Sequence, residues 1–529
     1  MEMYMLDSAL LILVYIAYLA FSYCRSLTYL HIYQQEEYDS RRFLNWLWAS
    51  LAFDKRLSLA LLMAGMIGIV VGFTAGAVAA IAAFFVITVL EKDPRQQSKK
   101  KLAMTGRVKR ILYVALGLMA LTSLWWFTTP NTLFWIISVQ AIPLLIIAAN
   151  VILQPYENHV QNKFWLEAHQ KLLNLSPTVI GITGSFGKTS VKHILGHILK
   201  TNAPTLITPG SVNTPMGITR IIREQLDETH KYFVAEMGAY GPGSIARLCR
   251  LAPPDAAIIT AIGHAHYERF KTLEAVAETK FELAQAALTK GGQVVVHETC
   301  LRFPYTRAMA EANPEHFVHC GDNKARDLKI VSVNPTAKGN DVHINWKGTD
   351  YKFDLPLHGL HHGHNAALAF ALAVTLGIPP DHVITALKSV PQIPHRLEVK
   401  PQHDGTTIID DAYNSNPAGF ASALDTLALM TGRKILVTPG MVEMGAAHDE
   451  EHTKIGRKAG EICDVALVVV PERIPSFIAG FKKTGNGKLI VEVPDFKSAA
   501  AWLDQNRQSG DIILLENDLP DLYEHKLRL

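Results

Sequence analysis

Thr183-Gly184-Ser185-Phe186-Gly187-Lys188-Thr189-Ser190 combines glycines, hydroxyls and one lysine in the pattern of a phosphate-gripping loop. Gly184 and Gly187 let backbone amides close around phosphate oxygens, with Ser185 and Ser190 alongside. The start of a helix adds partial positive charge, Lys188 reaches the terminal phosphates, and the Thr189 hydroxyl can ligate Mg²⁺. The apolar run Thr178 to Ile182 precedes the loop and a helical stretch, Val191 to Lys200, follows it, so the context is strand-loop-helix. Ile182 stands where the strict nucleotide-loop spacing requires glycine, which indicates a family with a shorter loop. A chance Gly-Lys-Thr in a glycine-rich turn is the alternative, and the flanking elements weigh against it.

Three further positions have chemistry of their own. Glu236 ends the strand Tyr232 to Glu236, and a carboxylate at the loop's sheet edge has a reason to exist if it holds Mg²⁺ against the terminal phosphates. An acid merely facing solvent is the other reading. His266 follows the strand Ala256 to Ala261 and could offer nitrogen to a second Mg²⁺, although a lone histidine among 22 is more often structural. Asp411 closes the strand from Thr407, where it can hydrogen-bond a ribose hydroxyl, and Asn414 lies in the next turn. The alternative is an acidic cap, Asp410 and Asp411, ahead of a helix at Pro417.

The elements that position these residues alternate. With Gln293 to Val296 as a further strand, and Gly217 to Leu226, Gly243 to Leu251 and Leu273 to Leu288 as helices, the pattern predicts a mostly parallel sheet covered on both faces. Ligands of such sheets gather at the carboxyl ends of the strands. Asp341 to Trp346 and Tyr351 to Leu355 read as a hairpin. A second series has strands at Thr407 to Ile409, Lys434 to Val437, Val465 to Val470, Leu489 to Val493 and Ile512 to Leu515, and predicts a second, Rossmann-like α/β domain.

Five segments stand in the order used by the Mur ligase family: the loop, Ala235-Glu236-Met237-Gly238-Ala239, Ala265-His266-Tyr267-Glu268 followed by Lys280, Gly359 to Asn365, and Asp410-Asp411-Ala412-Tyr413-Asn414-Ser415-Asn416-Pro417. The whole soluble part resembles this family, most of all the branch that adds D-alanyl-D-alanine to a peptidoglycan precursor. The resemblance implies ATP and two Mg²⁺ ions, with Thr189, Glu236, His266 and Lys280 at the metals. It also implies that CO₂ carbamylates Lys280; an unmodified Lys280 that pairs phosphate directly remains open. By resemblance His361 and Asn365, at the opening of a helix, border the adenine, and Arg396 reaches the nucleotide from the domain junction. Lys188, Lys280, His266 and Arg396 would be the catalytic set. Three departures from the family pattern stand out: His362 replaces an Asn, His395 a Gly, and Glu516-Asn517-Asp518-Leu519 a Lys-Gly-Ser-Arg segment.

Before the loop the composition changes. Ser8 to Cys24, Leu57 to Leu90, Ile111 to Thr128 and Leu133 to Gln154 are uncharged runs, and a bilayer-crossing helix takes about 20 residues. The long second run is expected to divide near Gly68, Gly72 and Gly76, which makes about five spans. Arg25, Arg41, Arg42, Lys55 and Arg56 in one loop, and Lys99, Lys100, Lys101, Arg107, Lys109 and Arg110 in another, place both loops and the remaining chain in the cytoplasm. A cleaved signal peptide is not expected. The expected organisation is a transmembrane region over 1–155, a linker helix over 156–176, a central P-loop ATPase domain over 177–395 and a carboxyl-terminal domain over 396–529.

Five scattered cysteines suggest neither a disulfide framework nor a zinc site, and the net charge of +3 carries no nucleic-acid signature. The expected protein is therefore a multi-pass enzyme of a bacterial inner membrane. It would be an ATP-dependent carboxylate–amine ligase acting through an acyl phosphate. Its partners would be the bilayer, a membrane-associated and possibly lipid-linked carboxylate of the cell envelope, and an amino acid or other amine. Three other readings stay open: the ordinary D-alanyl-D-alanine-adding ligase, a polyglutamate-type polyamide synthase, and an ATP-driven transport or gating protein.

Overall fold

The computed structural model describes residues 2–96, 101–124, 132–263, 270, 272–336, 338–413, 415–442 and 444–517. Two compact units make up the chain, one centred on Met1–Gln161 and the other on Asn162–Asp518.

The first unit contains α1 (Glu2–Gln35), α2 (Ser40–Ala49), α3 (Lys55–Val70), α4 (Phe73–Leu90), α5 (Gly106–Leu124) and the start of α6 (Thr132–Leu175). Among the described residues, three stretches are long and apolar enough to cross a membrane, Asp7–Gln35, Phe73–Leu90 and Thr132–Leu175. The long uncharged run does divide. Gly72, with φ of 124°, separates α3 from α4, and Gly76 packs so closely on Gly68 that a Cβ there would lie 2.7 Å from the Gly68 Cα. Small residues allow such backbone approach where no water drives association.

Arg25 was expected in a loop; it lies inside α1 instead, buried, 2.9 Å from Asp54 and 3.2 Å from Glu91. A charge that ends an apolar run need not end the helix when partners from other helices neutralise it. Lys99 and Lys100 lie outside the described residues. α6 continues through Pro143 and Pro155, so residues 156–175 prolong it as helix.

In the second unit the strands are β1 (Thr178–Thr183), β2 (Thr205–Ile207), β3 (Tyr232–Glu236), β4 (Ala256–Ile259), β5 (Gln293–His297), β6 (Phe317–Gly321), β7 (Leu328–Thr336), β8 (Gly339–Trp346) and β9 (Thr349–Leu355). They form one sheet in the order β2-β3-β1-β4-β5-β6-β7-β8-β9. The first seven run parallel, and β7, β8 and β9 form an antiparallel meander. Both faces are buried: Ile180 and Ile258 enter one core, Val179 and Ile259 the other. That explains the near-continuous apolar runs of the central strands.

A second sheet holds β10 (Glu398–Pro401), β11 (Thr407–Asp411), β12 (Lys434–Thr438), β13 (Val465–Val469), β14 (Leu489–Val493) and β15 (Ile512–Glu516), in the order β10-β11-β15-β12-β13-β14. Only β10 is antiparallel to its neighbour. The carboxyl ends of β1, β3 and β4 share one edge of the first sheet, where the parallel register sets Ile182 beside Glu236.

Candidate active site

The loop after β1 is pinned by the segment after β4. The Ser185 amide donates to the Ala261 carbonyl at 2.7 Å, while the Ser185 hydroxyl accepts from the Gly263 amide at 2.9 Å and donates to its carbonyl at 3.0 Å. Thr260 Oγ1 donates to the Phe186 carbonyl and fills the space where a Cβ on Gly184 would stand. Gly187, with φ of 80°, caps the helix Lys188–Asn202 without any side-chain hydrogen bond, so the first-turn amides face outward from a positive helix end. Lys188 Nζ folds back on the Gly184 carbonyl at 2.7 Å. Burial holds its ammonium below the usual lysine range, with the Glu236 charge opposing. Ser190 is buried in the helix.

Glu236 is 1% exposed and fully engaged. Its Oε2 accepts from Thr189 Oγ1 at 3.0 Å and from Lys192 Nζ at 3.0 Å, and its Oε1 accepts from Asn213 Nδ2 at 3.0 Å. Burial alone would raise its pKa; Lys192, Lys188 and the Asn213 amide outweigh it and hold the carboxyl below its ordinary range. A hydroxyl and an ionised carboxylate side by side at a phosphate loop are the oxygen donors that Mg²⁺ takes.

Lys192 and Asn213 were missed by sequence reasoning. One signal existed: Lys192 falls on the same helix face as Lys188, a turn further on, among Val191, Ile194 and Leu195, where a solvated lysine has no place. Lys280 lies on the helix Leu273–Leu288, 4% exposed, and lines one pocket with Gly184, Ser185, Lys188, Asn213 and Tyr240. Burial, and then the neighbouring Lys188 charge, hold it well below the usual lysine range, which favours the neutral amine. His266 and Asn414 lie outside the described residues.

The helix Leu360–Thr375 carries the other residues expected beside the nucleotide. It begins earlier than expected, so Asn365 sits in its second turn and not at its opening. Asn365 Oδ1 occupies the space beside Gly187, 2.6 Å from where a Cβ would be, and Asn365 Nδ2 is a buried donor with no partner among the described residues. Such an orphan donor beside the loop suits a nucleotide acceptor atom. His361 reaches Ser422 Oγ at 3.4 Å, and burial lowers its pKa to about 4. His362 is fully buried, and neither ring nitrogen has a hydrogen-bond partner among the described residues.

Arg396 stacks 4.5 Å over the Tyr413 ring. The residues either side of it, His395 and Leu397, both have positive φ, 57° and 51°. His395 also bonds Asp410 at 2.9 Å, and the helix Pro417–Leu429 is capped by Asn416, not by the acids. Asp411 is buried, accepts from the Leu397 amide at 3.2 Å, and is pushed up to about 6 by burial. It neighbours Glu516, which is fully buried, accepts from Ser415 Oγ at 2.5 Å and is pushed well up by burial and by Asp411.

Residues 182–373 match the Mur ligase middle domain and residues 395–516 the Mur ligase glutamate ligase domain. The UDP-N-acetylmuramoyl-tripeptide–D-alanyl-D-alanine ligase of Mycobacterium bovis is 31% identical over 364 residues, covering 64% of this chain and 70% of that protein. The Bacillus subtilis enzyme of the same name is 28% identical over 367 residues, covering 67% and 78%. Among solved structures, MurF from Thermotoga maritima in complex with ADP superposes with a TM-score of 0.58 at 27% identity, covering 69% of this chain and 82% of that one. MurF from Acinetobacter baumannii gives 0.61 at 25% identity, covering 69% and 78%.

Proposed function

The chain belongs to the Mur ligase family of ATP-dependent amide-bond-forming enzymes, and from that premise we propose that it is a membrane-anchored ligase that activates a carboxylate carried at the bilayer's cytoplasmic face. The observation that carries the chemical part is the convergence of Lys188, the Thr189–Glu236 pair and Lys280 on one loop. The carboxylate oxygen attacks the γ-phosphorus of ATP and the bond to ADP breaks, leaving an acyl phosphate. The amine nitrogen then attacks the acyl carbon, phosphate departs with the C–O electron pair, and the amine loses a proton. Lys188 and Arg396 supply fixed positive charge where the transferred phosphoryl group carries its negative charge.

Mur ligases use Mg²⁺, and Thr189 with Glu236 would hold it here, neutralising phosphate charge when bound. Burial that favours the neutral form of Lys280 suits carbamylation, because the neutral amine is the form that adds to CO₂; the carbamate would join His266 to hold a second Mg²⁺.

Two observations support a membrane-held acceptor that differs from the soluble one, and a third bears on the amine. Apolar helices occupy the chain ahead of the matched domains. Glu516 and Leu519 stand where the related pattern has Lys and Arg for an amino acid's free carboxylate, which favours an amine without that carboxylate. The first basic segment adds Arg41, Arg42, Lys55 and Arg56 close to apolar helices, where each cation near an anionic surface contributes about 1 kcal/mol toward anionic lipid. The names of the relatives support a second reading, an ordinary D-alanyl-D-alanine-adding ligase.

The chemistry is tested by supplying full-length protein in detergent with a carboxylate labelled with oxygen-18, an amine and ATP. ADP release that requires the carboxylate, with label transferred to phosphate, is the expected result. ADP release indifferent to the carboxylate, with unlabelled phosphate, would return the chain to an ATP-driven mechanical role.

A further inference from the structure

His297 ends β5, Asp322 follows β6, and His364 lies in the second turn of the helix Leu360–Thr375. One donor atom from each lies within 4.8 Å of the other two. His364 Nδ1 is 3.2 Å from the Leu360 carbonyl, to which it can only donate. In the neutral ring that leaves a lone pair on Nε2, which faces the two Asp322 oxygens at 3.0 and 3.2 Å. A lone pair opposed to a carboxylate repels it, so a cation, either a proton or a metal, belongs between them.

His297 decides which. Its Nδ1 is 2.8 Å from Thr299 Oγ1, and donation there leaves the Nε2 lone pair free. The Thr299 amide also donates to this nitrogen, at the longer distance of 3.4 Å, so a metal ion at Nε2 would select the tautomer in which Nδ1 donates to the nearer hydroxyl. Nε2 is buried with no hydrogen-bond partner among the described residues. A proton on His364 satisfies Asp322 and leaves His297 unsatisfied; a metal ion satisfies all three. The turn bearing Asp322 is itself held, because Glu298 accepts from the Asn323 and Lys324 amides at 3.2 and 2.5 Å.

We propose that His297, Asp322 and His364 form a site for a divalent transition metal of the zinc class, separate in every residue from the Mg²⁺ donors at the phosphate loop. Two imidazoles and one carboxylate suit Zn²⁺ or Co²⁺, whereas Mg²⁺ prefers oxygen throughout. Bonds of about 2.0–2.2 Å draw ligand atoms to roughly 3.3 Å apart, a contraction that small side-chain rotations provide. Asp322 and His364 are 44% and 32% exposed, which gives the ion a route in and water a place in its fourth position. A bound ion would tie β5, the turn after β6 and the start of the helix together.

The test is Co²⁺ titration of chelator-stripped, full-length protein in excess Mg²⁺, read by visible absorption and by competition with Zn²⁺. One Co²⁺ per chain, with affinity reduced at least tenfold in each of His297→Gln, Asp322→Asn and His364→Gln, is expected. Zn²⁺ should also raise the unfolding temperature of the wild type and not of Asp322→Asn or His364→Gln, whose partly exposed side chains can change without loss of fold. Failure of the wild type to bind Co²⁺, or binding unchanged in those two variants, would overturn the assignment.

Discussion

Glu236 and Lys192 illustrate how the site joins function to stability at the scale of single residues. Both are buried, and each neutralises the other while Thr189 and Asn213 complete the carboxylate's hydrogen bonds. Removing one member of such a pair leaves a buried charge, which costs about 3–5 kcal/mol. Glu236→Ala is therefore expected to lower stability in denaturant unfolding by that order. Adding Lys192→Met should recover most of the stability while ATP turnover stays lost, since the carboxylate proposed to hold Mg²⁺ is still missing. If the double variant were no more stable than the single one, the pair would not be the source of the effect. Lys188→Ala should reduce ATP turnover about 100-fold or more with the fold intact, because its charge serves phosphate; turnover at the original rate would remove Lys188 from the site.

Asp411 and Glu516 give the opposite case, two buried acids raised together. The Asp411 value in the folded chain, about 6, lies above its ordinary 3.8, so ionisation works against folding. That penalty is absent below the ordinary value and complete above the folded one, so stability falls as pH rises through this window. Glu516→Gln removes one of the two charges and keeps an acceptor for Ser415. It should be more stable than wild type at pH 8, with the difference shrinking toward pH 4. Thermal unfolding across that range checks it, and a pH-independent difference would contradict it. The loop and Glu236 were legible in the sequence because glycine spacing and a strand end mark them, whereas Lys280 was reached only through its spacing from His266 in the family resemblance. Asn213, and the pairings of Lys192 with Glu236 and of Glu516 with Asp411, were not legible, since these partners come from remote segments.

At the scale of elements, backbone demands explain where the sequence reads clearly. The central strands and the helix Leu273–Leu288 were read to within a residue or two because apolar runs and turns frame them. β7 was not read, as Pro335 interrupts the alternation of its faces. α1 was read too short, because Arg25 looks like a helix end until Asp54 and Glu91 are beside it. Pro155 looked like a boundary and is interior to α6. His395 takes a left-handed conformation at the position where the family pattern has glycine, so the substitution keeps the backbone path into Arg396. The α3–α4 crossing depends on Gly76 lying against Gly68. Gly76→Leu should force these helices apart and lower the unfolding temperature of detergent-solubilised protein by several degrees; an unchanged transition would show that the close crossing contributes little.

At the scale of the whole molecule, each unit has its own apolar cores. The full chain should remain with membranes through an alkaline carbonate wash, whereas residues 162–529 expressed alone should appear in the supernatant. Recovery of the full chain in the wash would remove the anchor from the account. The purpose of the proposed anchor is tested by one comparison: the rate at which full-length enzyme ligates the same peptide carboxylate on a lipid carrier and on a soluble UDP carrier, with ATP and amine in common. The account predicts turnover of the lipid-linked form and little of the soluble one. Efficient D-alanyl-D-alanine ligation to the soluble UDP-linked tripeptide, undiminished in residues 162–529, would contradict it.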